Sequence, residues 1–190
     1  MNTKPAVFID RDGTMIRHID VLTKPEQVEL LPGAGKAIAR LNKNFWVIGI
    51  TNQPIIEKGL LTIEGLNAIH RKLQELLARD GAHIDEFFTC PHRYHPEKDC
   101  DCRKPNPGLI NQARAQYPID MDRSWFVGDR LRDVETGRRA HLRTIFVKTG
   151  GESSDDQFFP DAKADFVAHD LDAAVNGILV SDREKNKAGS

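Results

Sequence analysis

Two kinds of hydrophobic pattern alternate along this chain. Short continuous apolar runs of strand length fall at residues 5–10, 45–50, 86–89, 125–127, 144–147 and 165–168. Between them, apolar residues recur at helical spacing. Pro32-Gly33 opens a helix to about residue 42, with Ala37, Ile38 and Leu41 on one face. Thr62 is a candidate N-cap for a helix to about residue 79, carrying Leu66, Ile69, Leu73, Leu76 and Leu77, and Asp80-Gly81 stops it. Further helices are expected after Pro107 to about residue 116, over 131–140, and from Asp170 onward with Leu171, Ala174, Val175 and Ile178 inward. Residues 15–31 show no period and read as a loop or small flap, and 149–162 as a polar loop. Strands alternating with helices imply an α/β fold: a doubly wound parallel sheet with helices on both faces. Nothing divides the chain, so residues 1–180 are expected to form a single domain and the polar stretch 181–190 a disordered tail.

The polar residues that matter follow the strands. The first run ends in Asp10-Arg11-Asp12-Gly13-Thr14. Carboxylates at i and i+2 point to the same side of an extended chain, just past its carboxyl end, where open α/β sheets bind ligands. Crowded oxygens of this kind suit Mg²⁺. The plainer reading is a strand ending in an acidic turn. The second run ends in Thr51-Asn52, a hydroxyl and an amide able to bind phosphate oxygens, although such residues also favour turns. Arg103-Lys104-Pro105 precedes a helix; an ammonium there would offset crowded negative charge. The fourth run is closed by Gly128-Asp129, with Asp133 four residues further on. Such acids could also simply complement a helix dipole.

Composition narrows the picture. A net charge of −1 argues against a nucleic-acid partner or an anionic membrane surface. No apolar run approaches the roughly 20 residues that span a bilayer, and no signal-peptide core precedes the first strand, so a cytoplasmic protein is expected. The three cysteines all lie in Cys90-Pro91-His92 and Cys100-Asp101-Cys102. Cys90, His92, Cys100 and Cys102 make the Cys₃His set of a closed structural Zn²⁺ site. His95 is a rival ligand, less favoured because Cys90 and His92 are so close. The metal would stiffen the loop that presents Arg103 and Lys104.

Taken together, D-x-D-G-T, Thr-Asn, Arg-Lys-Pro and G-D-x-x-x-D, in order and each after a strand, resemble the four motifs of the haloacid dehalogenase (HAD) superfamily. The resemblance implies a phosphatase with an HAD-like fold. Asp10 would be the nucleophile that forms an aspartyl-phosphate, and Asp12 the acid that protonates the leaving group and then activates water. Thr51 would hold the phosphoryl group and Lys104 would steady Asp10. Mg²⁺ would sit on Asp10, Asp129 and Asp12, the last through its carbonyl; Asp133 would orient Lys104 or a metal-bound water. Arg11, Asn52, Arg103 and Arg130 are the expected substrate contacts. About forty residues separate Asp12 from Thr51 and about fifty separate Thr51 from Lys104, which leaves no room for a large cap domain.

With its zinc segment the chain resembles one branch closely, that of the D-glycero-D-manno-heptose 1,7-bisphosphate 7-phosphatases and the histidinol-phosphate phosphatases. The heptose enzymes usually carry Gly-Tyr after the first motif and Ser-Gly after Thr-Asn-Gln. Here Ile19-Asp20-Val21 and Pro54-Ile55 stand in those loops. The heptose bisphosphate is the expected substrate, with histidinol phosphate or another small sugar phosphate as alternatives. A receiver-like phospho-acceptor domain is the reading from a different class; it needs neither an acid two residues past the acceptor nor a zinc loop. A monomer with a small phosphorylated sugar as its partner is expected.

Overall fold

The first apolar run becomes β1 (Lys4–Ile9), buried along almost its whole length in the middle of the sheet. This computed structural model describes residues 3–95, 97, 100–151 and 157–188. The other strands are β2 (Trp46–Asn52), β3 (Glu86–Cys90), β4 (Ile119–Gly128), β5 (Arg143–Val147) and β6 (Phe166–Ala168). They form one parallel sheet in the order β3-β2-β1-β4-β5-β6. Val7 pairs with Val47 on one side and with Trp125 on the other. The chain therefore winds outward from β1 through β2 and β3, returns, and winds the other way from β4. The crevice at this reversal, outside the carboxyl ends of β1 and β4, is where such sheets bind ligands.

Alternation along β1 sorts the core into two layers. Val7 and Ile9 face α1 (Ala34–Asn42), α2 (Ile63–Ala78) and α5 (Leu171–Ala188). Ala6 and Phe8 face α3 (Gly108–Gln116) through Leu109, Ile110 and Ala113. On that second side α4 (Leu131–Arg139) brings Gly137 against Phe126. Thr62 caps α2 as expected, accepting from the Gly65 N–H at 3.1 Å. Residues 15–31 are a flap pinned by bridges of Ile16 to Asp12 and Leu30. Among the described residues no second folded unit stands over the strand ends.

Two expectations about extent differ from the structure. β4 begins at Ile119, because Lys4 and Pro5 pair with Ile119 and Asp120 despite the polar sequence there. The expected tail is helical as far as Ala188. Tertiary pairing holds it: Arg123 to Asp182 at 2.5 Å, Arg143 Nη1 donating to Ser181 at 2.6 Å, and Lys185 donating to the Asp122 carbonyl at 3.2 Å.

Candidate active site

The ends of β1 and β4 and the loop before α3 deliver the charged residues to one place. The Asp10 N–H donates to the Val127 carbonyl at 3.0 Å, so β4 fixes the backbone of Asp10 where β1 stops. Lys104 arrives from the loop before α3 and is 4 % exposed. Its Nζ lies 2.6 Å from Asp10 Oδ1 and 2.6 Å from Asp133 Oδ1, and donates to the Ile50 carbonyl at 3.2 Å. Burial alone would disfavour the ammonium; the Asp10 and Asp133 carboxylates outweigh it and lift the Lys104 pKa above its ordinary value.

Asp129 is buried as deeply as Asp133. Burial first, then the charges of Asp10 and Asp133, push its pKa up to about 8 against the opposing pull of Arg130 and Thr14. Thr14 Oγ1 donates to Asp129 Oδ1 at 2.9 Å. Arg130 Nε stands 3.0 Å from Asp129 Oδ2 as an ion pair, but out of hydrogen-bond alignment. That buried oxygen accepts no hydrogen bond among the described residues. A Cβ at Gly13 or Gly150 would collide with this carboxylate, and Gly13 has φ +83°, so both glycines keep space open around it. Carboxylate oxygens of Asp10, Asp129 and Asp133 lie within 4.8 Å of one another. Such crowding with one orphaned oxygen fits a bound divalent cation.

Asp12 stands beside this cluster with its carboxylate turned elsewhere. Arg11 grips it in a fork, Nε to Oδ2 and Nη2 to Oδ1 at 3.1 Å each. Gln53 Nε2 donates to Asp12 Oδ2 and to Thr51 Oγ1, both at 2.8 Å. Gln53 thus joins the acid to the hydroxyl. In sequence only its place as the third residue of Thr-Asn-Gln marks it.

Three expected substrate contacts have other partners. Arg11 is fully buried, with its guanidinium on Asp12 and on His70 Nε2 at 3.3 Å. Asn52 clasps the backbone of Lys104: its Nδ2 donates to the Lys104 carbonyl at 3.2 Å and its Oδ1 accepts the Lys104 N–H at 3.1 Å. Arg130 donates to the carbonyls of Gly151 and Gly150 at 3.1 and 2.9 Å, tying down the turn beside Asp129. Arg103 donates to the His92 carbonyl at 3.0 Å and keeps part of its side chain at the cleft. That cleft is lined by Asp10, Asp12, Thr51, Arg103 and Arg132, and Arg11, Asn52 and Arg130 line it as well, with Ile19 and Leu22 on the flap side. Arg132 is not among the expected contacts; its place in the first turn of a helix gives no sign that it faces the cleft.

The cysteine segment gathers as its spacing suggested. Cys90 Sγ lies 3.6 Å from both His92 Nδ1 and Cys100 Sγ; Cys102 Sγ lies 3.3 Å from His92 Nδ1 and 3.7 Å from Cys100 Sγ. The cysteines are free. Metal–ligand bonds of about 2.3 Å to sulfur and 2.0–2.1 Å to nitrogen give tetrahedral edges of roughly 3.5–3.8 Å, close to these spacings. His95 is turned to Glu57, 3.2 Å away, so His92 is the imidazole of the cluster. Burial and neighbouring thiols raise the Cys90 pKa, and burial raises that of Cys102; a bound cation reverses that preference.

A parallel sheet with an acidic residue at the end of β1, answered by a hydroxyl, a lysine and a second acid on neighbouring loops, defines a hydrolase of the HAD-like class. Residues 101–174 match the HAD-hydrolase-like family model. The D-glycero-D-manno-heptose-1,7-bisphosphate 7-phosphatase of Chlorobaculum tepidum is 37 % identical, over 95 % of this chain and 96 % of that protein. The D-glycero-beta-D-manno-heptose-1,7-bisphosphate 7-phosphatase of Pseudomonas aeruginosa is 36 % identical, over 78 % of this chain and 83 % of that protein. The D,D-heptose 1,7-bisphosphate phosphatase of B. bronchiseptica, solved with magnesium and phosphate, superposes with TM-score 0.80 at 32 % identity, over 93 % of this chain and 99 % of that one. The chain belongs to the HAD-like heptose-bisphosphate phosphatase family, and it is a phosphatase.

Proposed function

We propose that the chain removes the 7-phosphate of D-glycero-D-manno-heptose 1,7-bisphosphate through a phosphoryl-enzyme formed on Asp10. The observation that carries the mechanism is the Lys104 ammonium 2.6 Å from Asp10, which holds that carboxylate aimed into the cleft. Asp10 attacks phosphorus in line, and Asp12 gives a proton to the departing sugar oxygen. Asp12 then takes a proton from the water that opens the acyl phosphate. Thr51 donates to a phosphoryl oxygen, and Lys104 offsets charge that builds on the others. Asp10, Asp129 and the Asp12 carbonyl would hold Mg²⁺. When bound, it neutralises the non-bridging oxygens of the phosphoryl group. Asp133 holds Lys104 in place. Zn²⁺ on Cys90, His92, Cys100 and Cys102 would stiffen the loop that ends at Lys104.

The choice of sugar is supported by the relatives and by the cationic rim. Arg103 and Arg132 at the cleft suit a second anionic group remote from the reacting phosphate. Histidinol phosphate carries an amine that such a rim repels. We read residues 1–180 as one catalytic domain, working as a cytoplasmic monomer; among the described residues no helix is long and apolar enough to cross a membrane. Side-by-side turnover tests the substrate. kcat/KM should be at least about tenfold higher for the heptose bisphosphate than for histidinol phosphate, roughly 1.4 kcal/mol in transition-state binding. Equal or better turnover of histidinol phosphate overturns the choice.

A further inference from the structure

A relay of side chains runs from the sheet to Asp12 through a histidine with no part in the mechanism above. His70 lies on α2 beside the buried stripe of Leu66, Ile69, Leu73 and Leu77. Its ring stacks on Phe87 of β3, with centroids 4.1 Å apart and planes 17° from parallel. Phe87 pairs across the sheet with Gly49, and a Cβ at Gly49 would strike the Phe87 ring. The missing side chain at position 49 therefore lets the phenyl ring lie where it supports the imidazole. On its far edge His70 Nε2 meets Arg11 Nη1 at 3.3 Å. Arginine only donates, so Nε2 is the acceptor and Nδ1 keeps the proton. Burial and the Arg11 charge push the His70 pKa down to about 3, which keeps the ring neutral and the acceptor available. The rest of the guanidinium forks onto both oxygens of Asp12.

We infer that His70 is a positioning residue for the leaving-group acid: it accepts one N–H of the buried Arg11 and so fixes the plane in which Arg11 holds the Asp12 carboxylate. The geometry favours this over simple packing. A fork onto one carboxylate still lets the guanidinium hinge about the line of its two bonds; a second acceptor on the opposite edge stops that motion. Gln53, just past the end of β2, supplies the third constraint on Asp12. The inference rests on Asp12 acting as the acid, as proposed above.

Leaving-group dependence separates positioning from packing. The sugar alkoxide needs a proton to depart, whereas p-nitrophenolate does not. kcat/KM reports the steps through that departure, so it isolates the acid from later hydrolysis of the phosphoryl-enzyme. His70→Phe keeps a ring to stack on Phe87 but has no acceptor. It should lower kcat/KM for heptose 1,7-bisphosphate about 10- to 100-fold, part of what a positioned acid contributes, and that for p-nitrophenyl phosphate less than about threefold. His70→Leu, also without an acceptor, should show the same bias if the phenyl ring does not pack. His70→Gln, whose amide oxygen can accept from Arg11, should stay within about fivefold of the unmodified protein on both substrates. Equal losses on the two substrates in His70→Phe, or His70→Gln as impaired as His70→Phe, overturn the inference. Asp12→Asn run alongside distinguishes the failures. If it shows the bias and His70→Phe does not, the His70 role falls alone. If Asp12→Asn shows no bias, the acid assignment falls and takes this role with it.

Discussion

Asn52 offers a sharp test, because the structure gives it a task beyond the one its motif suggested. Its amide makes two hydrogen bonds to the backbone of Lys104, one in each direction. Asn52→Ala removes both. At a net 0.5–1.5 kcal/mol each, the loss is about 1–3 kcal/mol. For a chain of this size, at about 2–4 °C per kcal/mol, a 2 kcal/mol loss lowers Tm by roughly 4–8 °C. Catalysis should suffer with it, since Lys104 must stay within reach of both Asp10 and Asp133. The expected signature is a fall in kcat with KM changed less than about threefold, as for a group that acts on the catalytic lysine rather than on substrate. Asn52→Asp keeps an acceptor for the Lys104 N–H but sets a carboxylate against the Lys104 carbonyl, so it should be no better than Asn52→Ala. Thermal unfolding and steady-state phosphate release measure both quantities. An Asn52→Ala protein with unchanged Tm and kcat and a strongly raised KM would refute the reasoning and return Asn52 to the substrate.

Asp10→Asn should abolish turnover while leaving the melting transition intact, read by phosphate release and circular dichroism. Cys100→Ser should lower Tm and activity together without rescue by added Mg²⁺, and metal analysis of unmodified protein purified without added zinc should find about one zinc per chain. Folded His70 resists protonation down to about pH 3, whereas unfolded His70 takes up a proton below about 6.5. Stability should therefore fall as pH drops through 6.5, by about 2 kcal/mol at pH 5, and level off only near pH 3. In urea titrations His70→Gln should lose that part of the slope; an identical pH dependence in the two proteins contradicts the account.

Much of the fold was legible because each strand is a short apolar run and each motif follows one. Runs at Val7–Ile9, Val47–Ile50 and Trp125–Val127 are buried on both faces of the sheet and have no polar alternation to hide them. β4 was read short because Asp120, Asp122 and Arg123 break its apolar pattern, and only pairing with Lys4 and Pro5 keeps that stretch extended. The last helix was read short because its end is polar; Asp182 and Lys185 are held by partners roughly sixty positions away in sequence. At the site, residue type announced chemistry but not direction. Arg11, Asn52 and Arg130 look like phosphate ligands in sequence; they line the cleft, and each also turns to a carboxylate or to backbone. Gln53 and His70 escaped notice for the converse reason. A lone Gln after a strand and a lone His on a helix gain meaning only when folding brings Asp12 and Arg11 to them.

The central claim is a phosphoryl group carried on Asp10. Acid quenching during turnover of heptose 1,7-bisphosphate, borohydride reduction of the trapped acyl phosphate and peptide mapping would locate it directly. The account predicts the reduced side chain at position 10 and at no other acid. Reduction at Asp12 or Asp129 instead would contradict it.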